Sequence, residues 1–116
     1  MRNILLIVST LLLFSCEEEV RVPDYVLSED RFAEVLTDFQ TAEAIVRLGY
    51  NRTKDSLTYN DSIYSAVFRK HDISKDEFDS NYTYYSNQPK VFEAIYEEVI
   101  TNLSEKSAEI QGSKNE

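Results

Sequence analysis

From Phe32 to Leu103 the apolar residues of this chain return at three- and four-residue steps, and no stretch shows sustained alternation of polar and apolar positions. That period belongs to helices with one buried face and not to half-buried strands. Two glycines and two prolines in 116 residues leave little material for the tight turns an all-β fold needs. The pattern therefore predicts an all-α fold: a small bundle of about four helices, two long and two short.

The first helix is expected from Glu29 to Leu48. Ser28 suits its N-cap, and Glu29 and Asp30 place negative charge where the helix dipole favours it. Its apolar stripe is Phe32, Val35, Leu36, Phe39, Ala42, Ile45 and Val46, and Gly49 can take the left-handed geometry that ends it. Tyr50 to Thr58 is polar and aperiodic, hence a loop. A short helix follows from about Asn60 to Lys70, burying Ile63, Tyr64, Val67 and Phe68. Ser74-Lys75-Asp76-Glu77 fits a capping box for the third helix, with Ile73 and Phe78 at the positions of a hydrophobic staple. That helix places Phe78, Tyr82 and Tyr85 on one face and turns Tyr84 outward. Pro89 suits the first turn of the fourth helix. This last helix runs to about Glu109, with Val91, Phe92, Ile95, Tyr96, Val99, Ile100 and Leu103 inward.

The N-terminus follows a different rule. Arg2, an apolar run from Ile4 to Phe14, then Ser15 and Cys16 have the order of a signal peptide, and the run is about half the 20 residues a membrane span requires. Leu13-Phe14-Ser15-Cys16 resembles the bacterial lipobox, which implies cleavage before Cys16 and thioether lipidation of the chain's only cysteine. A plain secretory signal is the alternative. Two or more acyl chains give a durable anchor, so the membrane is the first expected partner. Glu17, Glu18 and Glu19 read either as a solvated spacer or as the acidic export signal they resemble in Bacteroidota lipoproteins. That second reading implies the outer membrane with the domain on its outer face, the other choice being the periplasmic side. The expected division is 1–15 signal, 16–27 lipidated cysteine and acidic tether, 28–110 helical domain and 111–116 flexible tail.

Cleavage would leave about 100 residues, room for one domain. Asp and Glu outnumber Lys and Arg by 21 to 12, a net charge of −9 that argues against nucleic acid as a partner. With the single cysteine taken by lipid, no internal disulfide is available and burial alone must hold the domain. In the absence of tryptophan, eight Tyr and six Phe supply much of the apolar area.

The inventory for chemistry is poor. No free thiol remains, and the only histidine, His71, falls at the expected C-terminus of the second helix, where it can cap carbonyls and meet the dipole. Asp72-Ile73-Ser74-Lys75-Asp76 alternates oxygen ligands but has Glu77 where a calcium loop needs glycine. A zinc or iron site would need a second histidine. Neither an enzyme, nor a metal, nor a cofactor is expected. Asp38 and Glu43 flank the buried stripe of the first helix. Glu43 either reaches the helix edge or accepts a hydroxyl from Tyr82, Tyr84 or Tyr85, since burying it unpaired is costly. Alternatively, Asp38, Glu43 and Tyr84 contact a ligand or partner at a cleft between the first and third helices.

From Val35-Leu-Thr-Asp38 through Tyr64 to His71, Phe78 to Tyr85, Pro89 and Ile95-Tyr96, the chain resembles a family of short Bacteroidota lipoproteins known as domain of unknown function 4296. The likeness runs from about Val22 to Glu105. It implies a lipid anchor and a small helical domain and carries no activity with it. Asp72 stands where that resemblance leads one to expect glycine, a place for left-handed backbone. Asp55-Ser56-Leu57 and Asp61-Ser62-Ile63 are similar to the O-glycosylation site of exported Bacteroidota proteins, which makes Ser56 and Ser62 candidate acceptors. The function expected is that of a non-catalytic interaction module, an accessory subunit bound to a protein partner in the envelope. A small-ligand or glycan-binding lipoprotein is the second reading, and an enzyme centred on His71 the third.

Overall fold

A computed structural model describes residues 21–49 and 56–115, with backbone alone for 56–59. Four helices account for the architecture: α1 (Glu29–Arg47), α2 (Ser56–Lys70), α3 (Lys75–Ser86) and α4 (Pro89–Ser113). There is no strand among the described residues. The longest helix, α4, has 25 residues and spans about 37 Å at 1.5 Å per residue. It packs along α1, α2 lies on α1 and α3, and α3 closes against α4.

Local chemistry sets most of the boundaries. The Ser28 hydroxyl accepts from the Arg31 amide at 3.4 Å, and Gly49 takes φ 60° one residue past the C-cap Leu48. The capping box at α3 is complete: Ser74 Oγ accepts from the Glu77 amide at 3.1 Å, and the Ser74 amide donates to Glu77 Oε2 at 2.7 Å. Pro89 opens α4, where its missing N–H has no intrahelical partner to lose.

The end of α2 is a Schellman motif. The Ile73 amide donates to Phe68 O at 3.1 Å and the Asp72 amide to Arg69 O at 3.3 Å. Asp72 sits between them at φ 53°, the sole non-glycine residue with positive φ among the described residues. The left-handed conformation costs an L-residue roughly 1–2 kcal/mol, less for Asp than for most. Asp72→Gly is therefore expected to raise stability by up to about 1 kcal/mol, read as a higher urea midpoint with an unchanged slope.

The core is Phe32, Ala33, Val35 and Leu36 of α1, Phe78 and Tyr85 of α3, and Ile95 and Val99 of α4. Phe78 is its centre: it lies 4.5 Å from Phe39, 5.5 Å from Phe68, 6.0 Å from Phe32 and 6.3 Å from Tyr82, ring centre to ring centre. These rings fill the interval between α1 and α3.

Several expectations are corrected. Helix α2 begins at Ser56, earlier than Asn60, and α4 runs on through Ser113, past Glu109 and into the expected tail. Ile45, Ile100 and Tyr82 are exposed, although each was assigned to a buried face. Ile100 lies five residues after Ile95, about 140° away around the helix. Tyr84, expected outward, is half-buried, and the α3 position that turns fully inward beside Phe78 and Tyr85 is Asn81.

Folded structure also begins before Ser28. The Val26 amide closes a turn onto Pro23 O at 3.0 Å, and Val26 and Leu27 pack against the core. Asn81 binds this strap with both ends of its side chain: Oδ1 accepts from the Leu27 amide at 2.7 Å, and Nδ2 donates to Tyr25 O at 3.1 Å. Nδ2 also donates to Glu77 O at 2.8 Å, and the Tyr85 hydroxyl donates to Leu27 O. Residues 23–27, assigned to the tether, are thus part of the domain.

Candidate functional site

The most polar constellation is built around Asp38, midway along α1. Its Oδ1 accepts from Lys106 Nζ of α4 at 2.5 Å, and its Oδ2 from Lys70 Nζ at 2.7 Å and from His71 Nε2 at 2.8 Å. The contact to Nε2 requires the ring proton there. Burial by itself raises the carboxyl pKa, but the hydrogen bonds from Lys106, Lys70 and His71 together outweigh it and hold the group well below the usual carboxylate range. Beside Asp38, the buried Thr37 hydroxyl donates to Ala33 O at 2.7 Å and accepts from Asn102 Nδ2 at 3.3 Å. About two turns of α1 earlier, Arg31 donates to His71 O at 3.1 Å.

These contacts fasten the C-terminus of α2 and the second half of α4 to α1. The role expected of His71, capping its own helix, falls instead to Arg31, because the imidazole is turned across to Asp38. The open cleft around this cluster has a volume of about 350 Å³, with Glu34, Glu105 and Glu109 on its walls. Its lining includes no serine or cysteine, and the one hydroxyl, on Thr37, is already donated to backbone. The Asp38–His71 pair ties the C-terminus of α2 to α1. No group of three or more metal-ligating side chains occurs among the described residues.

Asp38 carries an acid-sensitivity whose sign is fixed. Its folded-state pKa is depressed, so its contribution to stability is complete above the unfolded value near 4 and fades as pH falls below it. Both lysines keep much exposure, so the expected contribution is only about 1–2 kcal/mol. Thermal melts of Asp38→Asn should fall furthest behind the wild type above about pH 5, the gap narrowing progressively as pH drops below about 4 toward the depressed folded-state value. A constant gap across that range would contradict this account.

Other concavities lie elsewhere on the described residues. An aromatic hollow of about 440 Å³ lies where α1, α2 and α3 meet, lined by Phe39, Tyr64, Phe68 and Phe78 with Asp61 and Lys75 at its rim. A shallower groove of about 700 Å³ runs between the strap and α3, past Tyr25, Thr83, Tyr84, Asn87 and Gln88.

The family model described as Domain of unknown function (DUF4296) matches residues 23–109. The chain belongs to this family. The DUF4296 match opens at Pro23, the first residue of the strap, and ends within α4. Neither the curated proteins nor the solved structures compared with the chain gave a match.

Within this DUF4296 domain the expected contact residues are not brought together. Asp38 sits in the basic cluster. Glu43 is half-buried and lies near Tyr96, whose hydroxyl is pushed up to about 12, first by burial, then by its hydrogen bond with Tyr82, with the Glu43 charge adding to the rise. Tyr84 borders the strap groove and meets the Tyr85 ring edge-on at 5.2 Å. Ser62 lies in the first half of α2, and the backbone of Ser56 begins that helix. Cys16, Glu17, Glu18 and Glu19, residues 50–55 of the expected loop and the Ser56 side chain lie outside the described residues. Sequence reasoning missed Asn81, Lys70 and Lys106. Asn81 carried a usable signal, since it stands three residues after Phe78 and four before Tyr85, on their face of α3.

Proposed function

We propose that the protein is a lipid-anchored, non-catalytic interaction module of the outer-membrane envelope, an accessory subunit held to the membrane through Cys16. The observation that carries the interaction role is the surface of α4. This helix continues two turns beyond Lys106, its last side chain bonded to another helix. It leaves Ile100 and Ile110 respectively 62% and 60% exposed, and Ile100 lies with Leu103 and Ala108 on a shallow concavity. Apolar residues grouped on one helix face mark contact surfaces more often than singly scattered ones do. The anchor is supported by the lipobox resemblance of Leu13 to Cys16. No described helix is long and apolar enough to cross a membrane.

Chemical crosslinking in intact cells, followed by purification through a C-terminal tag, is expected to recover one abundant envelope protein. An Ile100→Glu/Ile110→Glu double variant should lose it while melting like the wild type. Retention of the partner by a folded double variant would remove α4 from the interface, and no reproducible partner would count against the module itself. Cys16→Ser should release the protein from membranes or block its processing.

The aromatic hollow favours a second reading, binding of a small ligand or glycan, because the half-buried rings of Phe39, Tyr64 and Phe68 offer stacking area. A rise in melting temperature with a soluble compound, abolished by Ser65→Tyr at the rim, would support it over the first.

A further inference from the structure

The strap bears on how an anchored domain is held. If folding began at Ser28, twelve residue steps would separate it from Cys16, up to about 40 Å of extended chain. The turn at Pro23 and the Asn81 and Tyr85 hydrogen bonds to residues 25–27 cut that leash to seven steps, at most about 25 Å. That is shorter than α4, whose 25 residues span about 37 Å. The strap lies beside the start of this helix: Tyr25 borders the same groove as Asn87 and Gln88, and Gln88 is the α4 N-cap. A flexible chain of seven residues averages about 15 Å end to end, less than half the length of α4, so the groove end of the helix stays nearer the anchor on average than the C-terminal end does.

The surface around the strap suits the neighbourhood of a bilayer. Its groove is lined by Tyr25, Tyr84, Thr83, Ser80, Asn87 and Gln88, amphipathic or uncharged side chains of the kind that sit at a headgroup boundary, with Asp79 as its one carboxylate.

We propose that the clamp of Asn81 and Tyr85 on residues 25–27 orients the anchored domain, setting the Tyr25/Tyr84 groove toward the bilayer and directing the C-terminal end of α4 away from it. This rests on the lipid-anchored reading and adds a face and a height to it.

The test uses the full lipidated protein, purified in detergent and reconstituted into vesicles of phosphatidylcholine and phosphatidylglycerol. Because lipid occupies the Cys16 sulfur, a second cysteine can be labelled alone. Asn87→Cys marks the groove end. Gly112→Cys marks the far end, where an added Cβ meets nothing within 4 Å. Energy transfer from the dye to an acceptor lipid is expected to be several-fold more efficient at position 87 than at position 112. An Asn81→Ala variant that remains helical should narrow the difference, as should a Gly/Ser spacer of about ten residues inserted after Glu19, which leaves the fold untouched. Equal transfer at the two positions in vesicle-bound wild type overturns the orientation while leaving the anchor intact. An unlipidated Cys16 by intact mass, with no flotation alongside vesicles, overturns both.

Discussion

Phe78→Ala should cost the domain about 3–5 kcal/mol. The ring is 5% exposed and packs against Phe32, Phe39, Phe68 and Tyr82, so its removal opens a void bounded by three helices. Such a void collapses poorly, because Phe32 and Phe39 are fixed on one rigid helix and Phe68 on another. Domains of this size have a total stability near the low end of about 5–15 kcal/mol, so the variant is expected to be largely unfolded at physiological temperature. Phe78→Leu, which retains most of the volume, should cost about 1.5 kcal/mol or less. Urea unfolding followed by circular dichroism measures both. A Phe78→Ala midpoint within about 1 kcal/mol of the wild type would show that the rings do not share one core.

The second large effect is expected at Asn81. This side chain has no exposed surface and uses its amide as two donors and an acceptor, to Tyr25 O, Glu77 O and the Leu27 amide. Asn81→Asp keeps the shape and the acceptor but replaces the NH₂ with an oxygen facing two carbonyl oxygens. An unpaired buried charge of this kind typically costs about 3–5 kcal/mol. The penalty has a definite pH sign. The folded state disfavours the carboxylate, so the new group has a raised folded-state pKa, and the cost is least below the unfolded value near 4, where both states are protonated. It grows as pH rises above that value until the folded-state pKa is passed. Melting temperatures from pH 3 to 8 should therefore diverge from the wild type with increasing pH, and go on diverging above about pH 5, where the gap of Asp38→Asn is already complete. A gap independent of pH would mean that Asn81 is not buried among carbonyls.

What was legible in the sequence was local. The Ser74–Glu77 capping box, the left-handed Gly49 and Asp72, the N1 proline of α4 and the Phe32–Leu36 stripe are each set by neighbours within a turn or two, and each stands where it was expected. The misses have physical causes of two kinds. The start of α2 and the end of α4 lack apolar periodicity, so burial leaves no mark there, although polar residues carry the helix onward. The long-range contacts are invisible for another reason. Nothing in the spacing of Asp38, His71 and Lys106 says that three helices bring them to one point. Nor does Asn81, polar between two aromatic positions, announce that its partners are backbone groups more than fifty residues earlier. The acids were singled out correctly as residues on a helix edge. The assembly of Asp38, Glu43 and Tyr84 into one cleft failed because rings occupy the space between α1 and α3.

The strap also orders events in time. Its bonds to α3 span 54 to 58 residues of sequence, whereas the helix ladders close over three or four. Ring closure over such a loop is slow and yields little until both ends are rigid, while the helices form in about a microsecond. Residues 23–27 are among the first to be synthesised, yet their binding groove does not exist until Asn81 and Tyr85 have been made and wound into α3. The segment nearest the proposed anchor is thus made early and placed last, and until it docks, the Asn81 amide keeps only its bond to Glu77 O.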